Sequence, residues 1–582
     1  MPRLELIERA GRPIPLGLIF LGAFLIHGPL LLMKLPLKSF DTNFHIFFAS
    51  HYAHHWFDPW NPKWYAGFSQ TTYPPLPQQW IALFSRLIGL DMAYMVVQFI
   101  AILLLVLGVY RFAGLWVDRR AATYAALASV LLGSESFLVY SAGQLSTTFA
   151  APLYLNALPY LYEWMRWRNW RSLLKGSALA VAAAAAHNAT LLFGSFLFAI
   201  PVFALAFSDV RESRHGRALR FMVRTVFVVT LVGVAIAVVL LPFWIALFNY
   251  PVTQTPIPHA SRANYILSLQ WGLNYFLVPY GALILALPFI VLRGSVPRLR
   301  PLLLGFWVAF LLGLGGTTPV ARWLLGRAFE VLTMERFSYW ATLLALPFVG
   351  LIAKELIDRF EWRAVAGLTM AAGLTCSLAV AWASYHPADA EDFKVNSVAA
   401  WLNRDGHDHY RYVTLGFGNK ISRLALLTNA SSVDGEWNSG RMLPELTEHG
   451  AAALTSSKYF GKAGLDALTA MMRHADRYGL KWVFVRDPYY EPLLVFSGWR
   501  RVDDLQDRTI TIWSKDDVPP ATPVSSLQQP APWLGLLWGI LPIGSSVLAV
   551  LLLLIPNRRL AEQRITDRPA PEENLALGRV FS

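Results

Sequence analysis

Long apolar runs separated by short polar breaks dominate the chain. Runs of roughly 17–25 residues, enough to cross a hydrocarbon layer about 30 Å thick, fall near 14–34, 92–111, 121–141, 148–165, 173–190, 191–208, 222–248, 271–292, 301–316, 337–357, 364–384 and 532–555. The pattern predicts a polytopic α-helical membrane protein of about twelve spans. The breaks are of two kinds. Basic clusters sit at alternate ends of the runs: Arg119-Arg120, Arg166/Arg168/Arg171/Lys175, Arg211/Arg214/Arg217/Arg220, Arg293/Arg298/Arg300, Lys354/Arg359/Arg363 and Arg558-Arg559. With the N-terminus inside, every cluster lands on the cytoplasmic face, as the positive-inside rule requires. Both termini are then cytoplasmic. Left outside are the loop 35–90, the turn Gly143-Gln144-Leu145-Ser146, the loop 249–270, the stretch 315–336 and a long insert from about 385 to 532.

The insert has ordinary, charged composition and reads as a small extracytoplasmic α/β domain. Tyr410 to Gly416, Leu480 to Arg486 and Thr509 to Ser514 are enriched in β-branched and aromatic residues and predict strands. Leu465 to Tyr478 has helical periodicity and stops at Gly479. A Pro-rich linker, 516–532, leads to the last span. The chain therefore divides into a membrane part, 1–384, an outer domain, 385–531, and a last span with a polar tail, 532–582. Residues 390–515 contain no spanning run and are expected to fold by themselves.

Composition agrees with the membrane reading. Of 582 residues, 55% are hydrophobic and only 15% charged, against about 25% charged in soluble proteins. The net charge of +13 is spread over the interhelical clusters and not gathered on one domain, so a nucleic-acid partner is not expected. The one cysteine, Cys376, excludes an internal disulfide and a cysteine-based metal site. Arg3, Arg9 and Arg12 precede an apolar run with no small-residue cleavage site, which reads as an anchor and not a signal peptide. The expected location is the inner (cytoplasmic) membrane.

Soluble signatures are missing: no Walker loop, dinucleotide turn, zincin helix or nucleophile elbow occurs. Gly416-Phe-Gly418-Asn-Lys420 is the nearest approach to a phosphate loop, and glycine after a strand is usually a turn. Chemistry concentrates instead after the first span, in Phe40-Asp41-Thr42-Asn43-Phe44-His45. In a helix Asp41 and His45 share a face. His51, His54, His55, Trp56, Trp60, Trp64 and Tyr65 follow, then Tyr73-Pro-Pro-Leu76. Such a density of rings suits the membrane–water boundary.

A first span followed by an outer loop with an early acid, a Trp/His-rich stretch and Tyr73-Pro-Pro-Leu76 resembles the GT-C glycosyltransferases, polytopic enzymes that use polyprenyl-phosphate-linked sugars. More closely, Asp41…His45…Trp60-Asn-Pro…Gly67…Tyr73-Pro-Pro-Leu76, with 478–485 of the insert, resembles bacterial membrane proteins labelled 6-pyruvoyl-tetrahydropterin synthase-related. The zinc-binding histidines of that soluble synthase have no counterpart here.

The GT-C resemblance implies that Asp41 activates the acceptor. A carboxylate beside apolar residues tends toward a raised pKa, which suits a general base. Many such enzymes carry two adjacent acids where this chain has Asp41 and Asn43, so a divalent metal lacks a clear ligand set and no cofactor is expected. A lipid phosphate needs a fixed cation, and Arg336, beside Glu335 at the mouth of a span, offers a bidentate fork. Lys34 and Lys38 flank the loop and share that charge; Tyr73 and His187 are the remaining substrate-binding candidates.

Each residue has a plainer reading beside this one. Asp41 caps a helix starting at Thr42. His45 is an interfacial, hydrogen-bonded histidine. Arg336 snorkels or pairs with Glu335, and His187 makes an interhelical hydrogen bond. His51, His54 and His55 have no evident fourth zinc ligand.

The expected function is a cell-envelope glycosyltransferase moving a sugar from a polyprenyl-phosphate-linked donor to a glycan, lipid or protein acceptor at the outer face. The alternatives are a transporter or flippase for a lipid-linked glycan, and a non-catalytic assembly protein. Transporters favour two-half symmetry and broken helices at mid-membrane. Here no such symmetry is evident, and the polar residues gather at the outer mouth.

Overall fold

The computed structural model describes residues 13–211, 217–249, 256, 258–385, 393–449, 453–506 and 508–556. Arg3, Arg9, Arg12, Arg214 and the Arg558-Arg559 cluster lie outside these residues. Each expected apolar run falls on a helix. Among the described residues, seven helices are long and apolar enough to cross a membrane, and two shorter apolar ones are Leu16–Leu32 and Arg300–Gly313. The chain is thus a helical membrane protein. The helix Glu335–Tyr385 breaks at Glu361, whose φ of 50° is left-handed. At about 1.5 Å per residue its two halves together far exceed one bilayer, consistent with two runs there.

Leu145–Trp167 is absent from the seven for a physical reason, and Trp170–Ala186, at 17 residues, is shorter than any of them. The first is nearly all buried, and the second is buried apart from Trp170, Arg171 and Leu174. Helices surrounded by other helices need not be lipid-soluble, so they carry Ser, Thr, Asn and small residues. Peripheral helices show the opposite, with Leu18, Leu25, Val226 and Val229 more than half exposed.

Between Tyr385 and Pro532 lies a four-stranded sheet. Its strands are β3 (Arg411–Leu415), β4 (Leu480–Val485), β5 (Arg500–Leu505) and β6 (Ile510–Ser514), in the order β3-β4-β6-β5; β1 (Trp60–Asn61) and β2 (Phe68–Ser69) form a separate two-stranded ribbon in the first loop. β3 and β4 are parallel, and the other pairs are antiparallel. The expected helix runs over Gly461–Arg473, and Gly479 ends the following turn at φ 59°.

The sheet does not close its own core. Side chains alternate along the strands. Tyr412, Phe484 and Ile512 meet Val398, Trp401 and Leu402 on one face. On the other, Val413, Val483, Val485 and Trp513 share a core with Phe44, Phe47, Phe48, Trp64 and Phe68 of the first outer loop. Backbone bonds weld the two: Ser432 N–H donates to Lys63 O (2.8 Å) and Ala66 N–H to Ser432 O (3.0 Å). Independent folding of this unit would leave one apolar face uncovered, because residues far upstream cover it in the full chain. Expressed alone, residues 393–527 are expected to aggregate or to melt without a cooperative transition, as circular dichroism would show. In the full chain, Trp64→Ala is expected to cost about 3–5 kcal/mol.

Candidate active site

After the first helix, Leu16–Leu32, Lys34 turns left-handed, a short 3₁₀ turn covers Leu35–Lys38, and Thr42–His54 forms a helix. Asp41 is at its N-cap position, yet its carboxylate makes no cap hydrogen bond. What holds Asp41 is its backbone. Phe40 N–H donates to Ser141 O (3.1 Å) and Asp41 N–H to Ala142 O (2.9 Å). Those carbonyls end a π-helical turn, Leu138–Ala142, that stops at Gly143. Gly143 has φ +71°, and a Cβ there would lie 2.7 Å from Thr42 N and against Ser39 Oγ. Ser39 Oγ and Thr42 Oγ1 share a hydrogen bond (2.6 Å), and Thr42 Oγ1 donates to Tyr94 OH (3.0 Å). Gly143→Ala is expected to destabilise the chain by about 1–3 kcal/mol, read as a lower melting temperature, and to lower activity by displacing Asp41.

The turn that clamps Asp41 also carries Gln144. Its Nε2 donates to Glu335 Oε1 (2.6 Å), and Arg336 Nε donates to Gln144 Oε1 (2.9 Å). One amide thus joins the acid and the cation, which form no direct ion pair among the described residues. Among the described residues Nε is the one side-chain donor of Arg336 with a hydrogen bond, and within them both terminal amino groups of the fork are open to another partner.

Arg336 is also the electrostatic hub. Its field reaches Asp41, His45, Tyr73, His187, His259 and Glu335. Asp41 is partly accessible but closely surrounded by protein atoms. Burial pushes its carboxyl up to about 7, Arg336 pulls against that shift and Glu335 adds to it. His45 is buried and held down to about 3, first by burial and then by Arg336, so its ring is neutral. Gln78 Nε2 donates to its Nδ1 (2.8 Å). Tyr73 OH donates to Ser146 Oγ (2.9 Å), two residues beyond Gln144, and burial raises the phenol to about 12.

His187 separates two helices and its Nδ1 meets Thr190 Oγ1 at 2.7 Å, a local bond and not an interhelical one. Lys38 is exposed, and no hydrogen bond joins it to this set among the described residues. Lys34 turns to Asp91 (3.9 Å). Gln78, Gln144, Ser146 and His259 are residues that sequence reasoning passed over. Uncharged amides and hydroxyls have no signature until their partners are placed. His259 sits in the outer loop 249–270, burial lowers its pKa, and its Nδ1 meets Ser261 Oγ (2.8 Å), which also accepts from Met334 N–H (2.8 Å).

Two other candidate sites resolve into ordinary structure. Around Gly416-Phe-Gly418 two backbone donors are used: Gly416 N–H bonds Thr455 O (2.8 Å) and Phe417 N–H bonds Thr455 Oγ1 (3.1 Å). This turn reaches the candidate site through Asn419 Nδ2, which donates to Phe40 O (3.2 Å). His51 Nε2 bonds Asp58 O (2.7 Å), and burial lowers the ring to about 4. Among the described residues, no group of three His, Cys, Asp or Glu side chains is placed to hold a metal ion.

No family model matches the chain, and no curated protein matches it. Among solved structures, the arabinofuranosyltransferase AftD from Mycobacteria superposes with a TM-score of 0.50 at 15% identity, over 88% of this chain and 40% of that one. A mutant form of AftD gives 0.50 at 14% identity, over 86% and 42%. ArnT from Cupriavidus metallidurans, bound to undecaprenyl phosphate, gives 0.48 at 12% identity, over 86% and 99%. The chain spans about two fifths of AftD's length. At these identities the likeness is one of fold: this chain shares the helical fold of about two fifths of the arabinofuranosyltransferase AftD.

Proposed function

We propose that the protein is a GT-C-type glycosyltransferase that moves a sugar from a polyprenyl-phosphate-linked donor to an acceptor hydroxyl. The observation that carries this reading is the electrostatic pairing of Asp41, a carboxylate free of any capping duty, with Arg336, whose fork has two arms without a partner among the described residues. Asp41 takes the acceptor's proton as its oxygen attacks the anomeric carbon. The bond from that carbon to the phosphate oxygen breaks, and Arg336 holds the polyprenyl phosphate as its charge grows. His45 is too weakly basic to compete as the base and acts as a neutral neighbour that orients the aromatic wall. Tyr73, His187 and Glu335 shape the donor pocket, and Lys38 lies outside it. No metal step is needed for this balance.

In this reading about twelve spans place both termini in the cytoplasm of an inner-membrane protein, with the site and the sheet at the outer face. AftD's name supports glycosyl transfer as the reaction class. The likeness to the pterin-labelled group adds no chemistry to it. The test is reconstitution in liposomes with polyprenyl-phosphate-linked pentoses and hexoses carrying a radiolabelled sugar. Released polyprenyl phosphate and a labelled acceptor are expected. Movement of intact donor across the bilayer without release would make the protein a flippase, and neither event would leave the assembly role.

A further inference from the structure

An open cavity of about 370 Å³ lies where five elements converge, one of them the helix Thr42–His54, through Ile46 and Ser50. Lys34 enters it from the end of the first helix, Gly89 and Asp91 from the junction of the helices Leu76–Ile88 and Leu90–Ala113, and Arg423 from the sheet-bearing unit's helix Lys420–Leu427. Asp91 bridges the two cations, at 3.1 Å to Arg423 and 3.9 Å to Lys34. It also stands in the first turn of Leu90–Ala113, where the helix end is itself partly positive. One carboxylate therefore answers two full positive charges and a helix terminus. A single positive charge is left over.

Apart from Ser50, the cavity's other side-chain walls are apolar, Ile46, Ile88, Leu426 and Leu427 among them. Close in sequence to the lining residues Lys34 and Ile88, Leu32, Met33 and Leu87 are 66%, 70% and 85% exposed, a surface suited to acyl chains at the end of membrane helices. Charge and walls together select a monoanionic head group with hydrocarbon attached, not a free ion.

We propose that this cavity binds the phosphodiester of an anionic phospholipid, held between Lys34 and Arg423. The bound lipid ties the sheet-bearing unit to the first membrane helix, independently of the transferase reading. Guanidinium and ammonium both bind phosphate through charge-assisted hydrogen bonds. Asp91 competes with the lipid for the same donors.

The full-length protein in nanodiscs of phosphatidylcholine, with or without phosphatidylglycerol, tests this by native mass spectrometry of retained lipid. Wild type is expected to retain phosphatidylglycerol selectively. Arg423→Gln and Lys34→Gln are each expected to lower that retention about tenfold, while Asp91→Asn raises it. Arg423→Lys keeps the charge and should keep most of the lipid, which guards against a variant that simply misfolds. Equal retention of phosphatidylcholine and phosphatidylglycerol, or an Asp91→Asn variant that retains less, would overturn the proposal.

Discussion

Asp41→Asn is expected to lower turnover by about two to four orders of magnitude, the usual share of general-base catalysis, while leaving the fold intact. The fold is spared for two reasons. The Asp41 carboxylate makes no cap hydrogen bond, and its backbone bonds to Ser141 and Ala142 do not depend on the side chain. Asparagine in any case caps about as well as aspartate. The pH dependence has a definite sign. With the carboxyl raised to about 7 from its ordinary 3.8, activity climbs as pH rises through 7 and the base loses its proton. Stability runs the other way. A carboxyl raised in the folded state favours folding fully below pH 3.8, and that contribution is lost as pH rises to about 7. At pH 8 the uncharged asparagine variant should therefore melt no lower than wild type. Full glycosyl transfer by the variant, measured in liposomes with labelled donor, would remove Asp41 from the role of base.

Much of this was legible because lipid imposes a single strong rule. Apolar length and basic clusters mark the helices, and a polar residue just beyond a span stands out, as Asp41 and Arg336 do. The misses share a cause in distance or in exposure. β5, Arg500–Leu505, is an edge strand with charged, mostly exposed side chains, the form an unpaired edge takes to avoid aggregation. It lacks the apolar alternation that reveals β6. The common core of Trp64 and Val413 depends on chain segments more than three hundred residues apart; the bond from Lys63 Nζ to Thr428 O (2.7 Å) spans 365 positions. Gln144 was invisible for the same reason, since its partner Arg336 is 192 positions away.

Arg336→Gln is expected to weaken donor binding by about 1–3 kcal/mol, roughly 5- to 150-fold, the value of a hydrogen bond to a charged group. Arg336→Lys should show part of that loss, because an ammonium keeps the charge but not the fork. Affinity alone does not distinguish a phosphate ligand from an arginine that merely shapes the pocket. The pH profile does. The guanidinium pulls the Asp41 carboxyl down against the effect of burial. Its removal in Arg336→Gln should therefore move the acid limb of the rate profile to higher pH, and Arg336→Lys should move it little. Glu335→Gln removes a charge that pushes Asp41 up, so its limb should move to lower pH. A donor-affinity loss without any limb shift would mean that Arg336 and Asp41 do not share one site. A limb shift with unchanged affinity for a labelled polyprenyl-phosphate donor would leave Arg336 tuning the base and deny it the phosphate.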